Sequence, residues 1–334
     1  MYILKQIPED FIVREINYIP TESSGKYLYY KLKKKNQNTL DVVKQLAKAL
    51  RIKEKQIGFA GSKDKHAITE QVISITSVGK EKISSITISE ISLEFLGYGD
   101  KPISLGDLDG NSFEIVVRNL DHQNFKTASF CENYFDEQRF SKNNVEIGRL
   151  LLKKNFEKAV ELIDYSACKN HLNNYPHDFV GALRKIPIRL LRMYINAYQS
   201  MLWNMVVASY LNKYGSVEKK VLYSQGELVF VKDKIECAIP IVGFDSQSLE
   251  QGEIKQLITN LMKAEKIDYS DFLIKQIPQI SLEGELREVF IEIKDFILGT
   301  VEDDELNPRK KKIKISFTLP KGSYATMVVK KIFS

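Results

Sequence analysis

The chain predicts an α+β fold, and three observations lead there. Runs of alternating, β-branched residues at 10–18 and 27–34 have strand character. A helical period follows them from Leu40 to Leu50. The turn-dense stretch Gly106-Asp107-Leu108-Asp109-Gly110-Asn111 then opens a further strand, Ser112–Arg118. Strands therefore follow one another in hairpins, without strict βαβ alternation.

Taken in order, Asp10–Tyr18 is the first strand and Tyr27–Lys34 the second, with a basic end. Asn38-Thr39 caps a helix whose apolar positions Leu40, Val43, Leu46, Ala47 and Leu50 recur at helical spacing. Ile57–Gly61 leads into a glycine-bearing loop, and Gln71–Thr76 is the strand behind it. Ile83–Leu96 holds two short alternating runs, and a helix is expected over Asn124–Tyr134. After about residue 158 the texture changes. Ile188–Leu211 is long, apolar and helical in period, and it carries Trp203. Residues 220–245 hold short strand-like runs broken by Gly226, Asp233, Pro240 and Gly243, before helical pattern returns over Leu249–Ala264. Ile313–Thr318 alternates again, and Pro320-Lys321-Gly322 turns the chain once more. A late strand of this kind pairs with a sheet laid down earlier. The expected organisation is discontinuous: residues 1–158 and 305–334 form one domain, and 159–304 is inserted into it.

Length and composition set wide bounds. The 334 residues suffice for one large domain or two ordinary ones. Hydrophobic residues at 43% and charged residues at 28% give the balance of a soluble globular chain. A formal net charge of +6 is compatible with a polyanionic partner and too common to establish one. Cys131, Cys168 and Cys237 are odd in number and form no CxxC pair, and His66, His122, His171 and His177 fall into no zinc spacing. These patterns argue against a disulfide scaffold and a structural zinc. The apolar run at Met1–Asp10 is too short for a signal peptide, and no stretch approaches the roughly 20 apolar residues of a membrane span. A reducing, cytoplasmic compartment is the expectation.

The segment Gly58-Phe59-Ala60-Gly61-Ser62-Lys63-Asp64-Lys65-His66-Ala67-Ile68-Thr69-Glu70-Gln71 concentrates the chemistry. Its two glycines permit a sharp turn or the close approach of a ligand. Lys63 and Lys65 set positive charge on either side of Asp64 in sequence, which favours the charged carboxylate. An ionised aspartate on a glycine-shaped loop suits a nucleophile or a general base. Taken alone, an aspartate in a Lys-Asp-Lys run more often braces a turn.

The fourteen residues together resemble the signature of the TruD family of pseudouridine synthases, G-[FY]-A-G-x-K-D-x-x-A-x-T-x-Q, with Asp64 on the family's catalytic aspartate. The resemblance extends from Lys5 to Ala325. It implies a mixed, largely antiparallel pseudouridine synthase sheet with flanking helices, and an inserted α/β TruD-specific domain. The implied activity is isomerisation of uridine within transfer RNA, most often uridine 13, without cofactor, metal or guide RNA, and a monomer suffices. Asp64 would either attack C1′ or remove a proton at C2′.

Other segments carry further implied roles. Pro8–Glu15 resembles the element P-E-D-F-x-V-x-E, which implies Lys5 beside the catalytic aspartate and Phe11 against the substrate; Phe11 reads equally as a core strand residue. Asn133–Phe140 resembles N-Y-F-G-x-Q-R-F-G, with Asp136 and Ser141 standing where glycines are common. An asparagine amide suits the edge of uracil and an aromatic ring its face, hence Asn133 and Phe135. Tyr324 matches a position for an aromatic against the target nucleotide, while Lys63 and Gln71 are read as support for the loop. Tyr194–Asn204, with Gln199, Ser200 and Trp203, resembles A-x-Q-S-x-[LF]-[WF]-N and reads as structural. Lys31, Lys33, Lys34 and Lys35, then Arg184, Lys185, Arg189 and Arg192, then Arg309–Lys312 are candidates to track the RNA backbone in a groove between the domains. The alternatives are an inactive RNA-binding or RNA-chaperone protein of the same fold, which the intact Asp64 neighbourhood disfavours, and a hydrolase built on a lone aspartate, which lacks a second carboxylate motif.

Overall fold

Strand pairing in the first third of the chain decides where the Asp64 loop sits. The computed structural model describes residues 2–121, 125–141 and 143–334. They divide into two compact units, Met1–Cys131 with Glu292–Ser334, and Glu132–Ile291.

In the first unit, β1 (Phe11–Ile16), β2 (Tyr27–Lys35), β3 (Ile57–Phe59), β4 (Ile68–Ile75), β5 (Ile91–Gly99) and β6 (Gly110–Leu120) join the late strands Lys294–Asp303 and Lys311–Pro320 in one sheet. From one edge the order is 294–303, 311–320, β6, β1, β4, β2, β5. β1 and β4 run parallel, and the other pairings of this sheet are antiparallel among the described residues. The sheet is thus mixed and largely antiparallel, and the molecule is of the α+β class. β4 shares one edge between two partners. Its first residues pair with β1, at Ile12 to Ile68 and Arg14 to Glu70. Its last pair with β3, at Ile57 to Ile75 and Phe59 to Ile73.

Period-two alternation in β2 buries Leu28, Tyr30, Leu32 and Lys34 on one face. Against that face packs α1 (Thr39–Leu50), through Val42, Val43, Leu46 and Leu50. The Asn38 side chain accepts from the amide of Leu40 and starts the helix, as its residue type suggests. Each fully buried Leu or Val in this layer contributes roughly 1.5–3 kcal/mol. The N-terminus of α1 comes to lie by the loop that joins β3 to β4. Gly58 in β3 is dictated by packing: a Cβ there would stand 2.3 Å from the Ile103 carbonyl oxygen.

An ion cluster around the buried Arg118 closes the first unit. Arg118 of β6 donates from Nε to Asp10, from Nη1 to Asp304 and from Nη2 to Glu305, at 2.8, 2.8 and 3.0 Å. Burial opposes charge on Asp304. The Asn119 amide, the Asn307 side chain, the Leu306 amide and Arg118 nevertheless hold its carboxyl down at about 2.

The units divide at 131/132 and 291/292, where the sequence reading set edges at 158/159 and 304/305. Two packings account for the difference. The helix Asn144–Leu152 packs with the long helix Ile188–Tyr214 of the second unit, and Lys294–Asp303 pairs with Lys311–Pro320 of the first. No helix spans 125–134: the chain is irregular to Ser129, and Phe130–Glu132 is a short strand, while Asn124 lies outside the described residues. Extended backbone there carries the buried Glu132 carboxylate to the amide of Val231.

The second unit is organised by the helix Ile188–Tyr214, whose Leu191, Tyr198, Leu202 and Trp203 are fully buried. Trp203 donates to the Ile239 carbonyl and Gln199 to that of Val242, which agrees with the structural role expected of this segment. Two antiparallel strand pairs, Val217–Tyr223 with Gly226–Val231 and Ala238–Ile241 with Glu285–Glu288, complete the unit with the helix Gly252–Glu265.

Candidate active site

Asp64 stands on the loop between β3 and β4, with its side chain 24% exposed. Its carboxylate is held by Lys5, whose Nζ lies 2.9 Å from Oδ2. A charge-assisted hydrogen bond of this length fixes the direction of the carboxylate. Lys5 itself has a φ of 56°, in the left-handed region that a lysine adopts at some cost. Its ammonium also lies 4.1 Å from the centroid of the Phe11 ring. Phe11 is 2% exposed and meets Phe113 edge-on, so its ring is a core element that supports Lys5.

The segment bearing Lys5 is anchored from below. Asp10 is fully buried, accepts from the Ile7 amide through Oδ2, and pairs with Arg118 through Oδ1. A chain of contacts thus runs from β6 through Asp10 to the turn that presents Lys5.

The loop is braced on its other side by residues that carry no exposed charge. Lys63 turns away from Asp64: its Nζ lies 2.5 Å from Oε2 of Glu15, a carboxylate with no exposed surface. Oε1 of the same carboxylate accepts from the amide of Val72, in the stretch of β4 between its β1 and β3 pairings. Gln71 donates to the Gly61 carbonyl and accepts from Thr39, and the Thr39 hydroxyl accepts from the Lys63 amide. The role of Lys63 and Gln71 as loop support is visible in these contacts, whereas Lys65 is exposed. Lys34, fully buried, donates to the carbonyls of Gln37 at 2.7 Å, Asp64 at 2.8 Å and Lys63 at 3.4 Å. Sequence reasoning placed Lys34 on an RNA-facing surface, read Thr39 only as part of a helix cap, and assigned no site role to Glu15, Asp10 or Arg118.

Asn133 and Phe135 belong to the second unit. The Asn133 amide donates to the Glu288 carbonyl, and its Oδ1 accepts from Arg287 at 2.7 Å. Phe135 is 6% exposed, meets Trp203 edge-on, and has the Arg287 guanidinium 4.2 Å from its ring centroid. Asn204 grips its backbone, accepting from the Phe135 amide and donating to its carbonyl. Tyr324, half-buried in the first unit, precedes the closing helix Ala325–Phe333 as its N-cap.

Several basic residues expected to follow RNA spend their charge within the protein. Lys31 pairs with Glu94, Lys33 with Glu70 and Lys35 with Glu9. Lys311 and Lys312 pair with Asp303 and Glu305 across the late hairpin, and Lys310 with Asp121. Arg184 and Arg192 donate to the backbone carbonyls of Gln276 and Gln279. Among the described residues no group of three or more His, Cys, Asp or Glu side chains could hold a metal ion, and no helix is long and apolar enough to cross a membrane.

Comparison with known proteins bears on this geometry. The family model described as tRNA pseudouridine synthase D (TruD) matches residues 2–171 and 166–332. The tRNA pseudouridine synthase D of Aquifex aeolicus is 30% identical, over 99% of this chain and 97% of its own. A protein of Methanosarcina barkeri named a probable tRNA pseudouridine synthase D is 30% identical, over 98% of this chain and 92% of its own. A crystal structure assigned to TruD from Methanosarcina mazei superposes with a TM-score of 0.71 at 26% identity, covering 99% of this chain and 93% of that one. A mixed sheet of this topology with these relatives is that of a pseudouridine synthase acting on transfer RNA. The chain belongs to the TruD family.

Proposed function

We propose that the chain converts uridine 13 of transfer RNA to pseudouridine, with Asp64 as the single carboxylate acting at the ribose. The observation that carries this reading is the Lys5–Asp64 pair: a partly exposed carboxylate on a braced loop, with a lysine ammonium 2.9 Å away. The reaction breaks the bond from N1 of the base to C1′ and forms one from C5 to C1′, and the proton leaving C5 restores the count at N1. No redox step intervenes. Extruding the nucleotide costs a few kcal/mol, offset by stacking and edge contacts to the base.

Two routes use the same group. Asp64 attacks C1′ to give an ester that the rotated base displaces, or it removes the C2′ proton to give a glycal. Lys5 holds the carboxylate aimed in both. Phe11 acts through Lys5, since its ring is covered. Asn133, Phe135 and Tyr324 are assigned to the uracil and its nucleotide by family resemblance.

The test is to incubate purified protein with unmodified transfer RNA and map pseudouridine by carbodiimide adduct and primer extension. A stop at position 13 is expected, absent with Asp64→Ala while RNA binding persists. Normal turnover by Asp64→Ala would remove Asp64 from this role, and a stop elsewhere would refute the position.

A further inference from the structure

Alternation along β2 directs Lys34 inward, at the end of the buried row Tyr30, Leu32, Lys34. Lysine is rarely buried without a reason, because removing an ammonium from water is expensive unless its donors are satisfied. Three donors find three acceptors here, and all are backbone carbonyls: Gln37 just before α1, and Lys63 and Asp64 on the loop. No carboxylate accepts from it among the hydrogen bonds described, so the contacts serve to hold backbone.

We propose that Lys34 is a positioning residue for the isomerisation: its buried ammonium clamps the peptide carbonyls before and after the Asp64 Cα to the start of α1, and so sets where the Asp64 carboxylate stands. This rests on the reading of Asp64 as the reacting group. The two ends of Asp64 are then fixed by different lysines, the carboxylate by Lys5 and the carbonyl by Lys34. Thr39 and Gln71 tie neighbouring loop atoms to the same helix start. Without the clamp, the loop keeps its sheet anchors but gains freedom at the residue whose placement matters most, and a displacement of about 1 Å can slow a reaction 100-fold.

The charge state of the clamp is also adjustable. Burial brings Lys34 down to about 8, with the charge of Asp64 opposing and that of Lys63 assisting. Those two are the charged groups facing it; its strand neighbours, Thr69 on β4 and Ile91 on β5, carry none. A neutral amine retains two donors for three carbonyls, so the clamp loosens as the proton is lost.

The experiment compares wild type, Lys34→Met and Asp64→Asn in single-turnover pseudouridine formation and in transfer RNA binding, across pH 7 to 9.5. Lys34→Met is expected to bind RNA within about twofold of wild type and to react roughly 10- to 100-fold more slowly. The wild-type rate is expected to fall as pH rises through about 8, and this limb is expected to be missing from Lys34→Met. A Lys34→Met rate within twofold of wild type, or the same alkaline limb in that variant, overturns the proposal. If Lys34→Met does not fold, hydrogen exchange on the wild type decides: corrected for intrinsic rates, amides of residues 60–67 should lose protection above pH 9, and unchanged protection overturns the clamp. Full activity of Asp64→Asn would instead sink the reading of the site on which the clamp depends.

Discussion

Lys63 and Glu15 form a buried ion pair at 2.5 Å directly beneath the Asp64 loop, so the lysine preceding Asp64 in sequence is not its partner in space. Sequence adjacency suggested that Lys63 and Lys65 set the charge around Asp64; the fold gives that contact to Lys5, fifty-nine residues away. Breaking one member of a buried pair leaves an uncompensated charge and is destabilising by about 3–5 kcal/mol. Glu15→Gln should therefore lower unfolding free energy by about that amount and impair turnover. The double variant Glu15→Gln/Lys63→Met should recover part of the stability. Chemical denaturation of both singles and the double checks this, and strictly additive losses would show that the pair does not act as a unit.

Lys5→Met removes the ammonium beside Asp64 and keeps the packing over Phe11. Because both side chains of the pair are about one quarter exposed, stability should change by about 1 kcal/mol or less. The single-turnover rate should fall roughly 10- to 100-fold, with RNA affinity retained. An unchanged rate would separate Lys5 from the chemistry.

Phe135→Ala should behave differently from Lys5→Met. Its ring is enclosed by Trp203 and Arg287 in the second unit, so truncation leaves a cavity and is expected to destabilise by about 3–5 kcal/mol. Thermal unfolding checks this. A stability loss under 1 kcal/mol would mean that the ring is free to serve the nucleotide without serving the core.

The Arg118 cluster predicts an acid-sensitive fold. Asp304 is held at about 2 in the folded chain, below its ordinary value of 3.8. A depressed carboxylate contributes stability above the unfolded value and loses it as pH falls through the folded one. Its share should be present above about pH 4 and gone near pH 2. Asp304→Asn should lower stability by about 2–3 kcal/mol at pH 7 and flatten the profile in that window. Denaturant titrations at pH 7, 4 and 2.5 test it; an equal difference between variant and wild type at all three would contradict the assignment.

Much of the site was readable because its residues sit in short, dense motifs. The Asp64 loop, the α1 cap at Asn38 and the strand behind the loop follow from local signals, and Lys5 came from the family pattern around Pro8–Phe11. What stayed hidden depends on parity and on distant contacts. Lys34 lies within the run Lys31-Leu32-Lys33-Lys34-Lys35, whose basic character masks the alternation. Counting by twos from Tyr30 and Leu32 would have turned it inward. Glu15 ends a recognised motif, yet nothing local says that its carboxylate reaches Lys63 and the Val72 amide. Asp10 and Arg118 meet across 108 residues, and Asp304 joins them across 186 when the late strands close on β6. The helix expected over 124–134 failed because side-chain character there does not reveal that Glu132 is drawn to Val231.

The late strand Lys311–Pro320 pairs along β6 on the side opposite β1. On the ribosome, β6 is complete long before that partner exists, and at ordinary synthesis rates the wait is on the order of ten seconds or more. During this interval a nascent chain displays an open, adhesive border. Closure of that border therefore waits on translation of residues 311–320, and chaperone occupancy should track that delay.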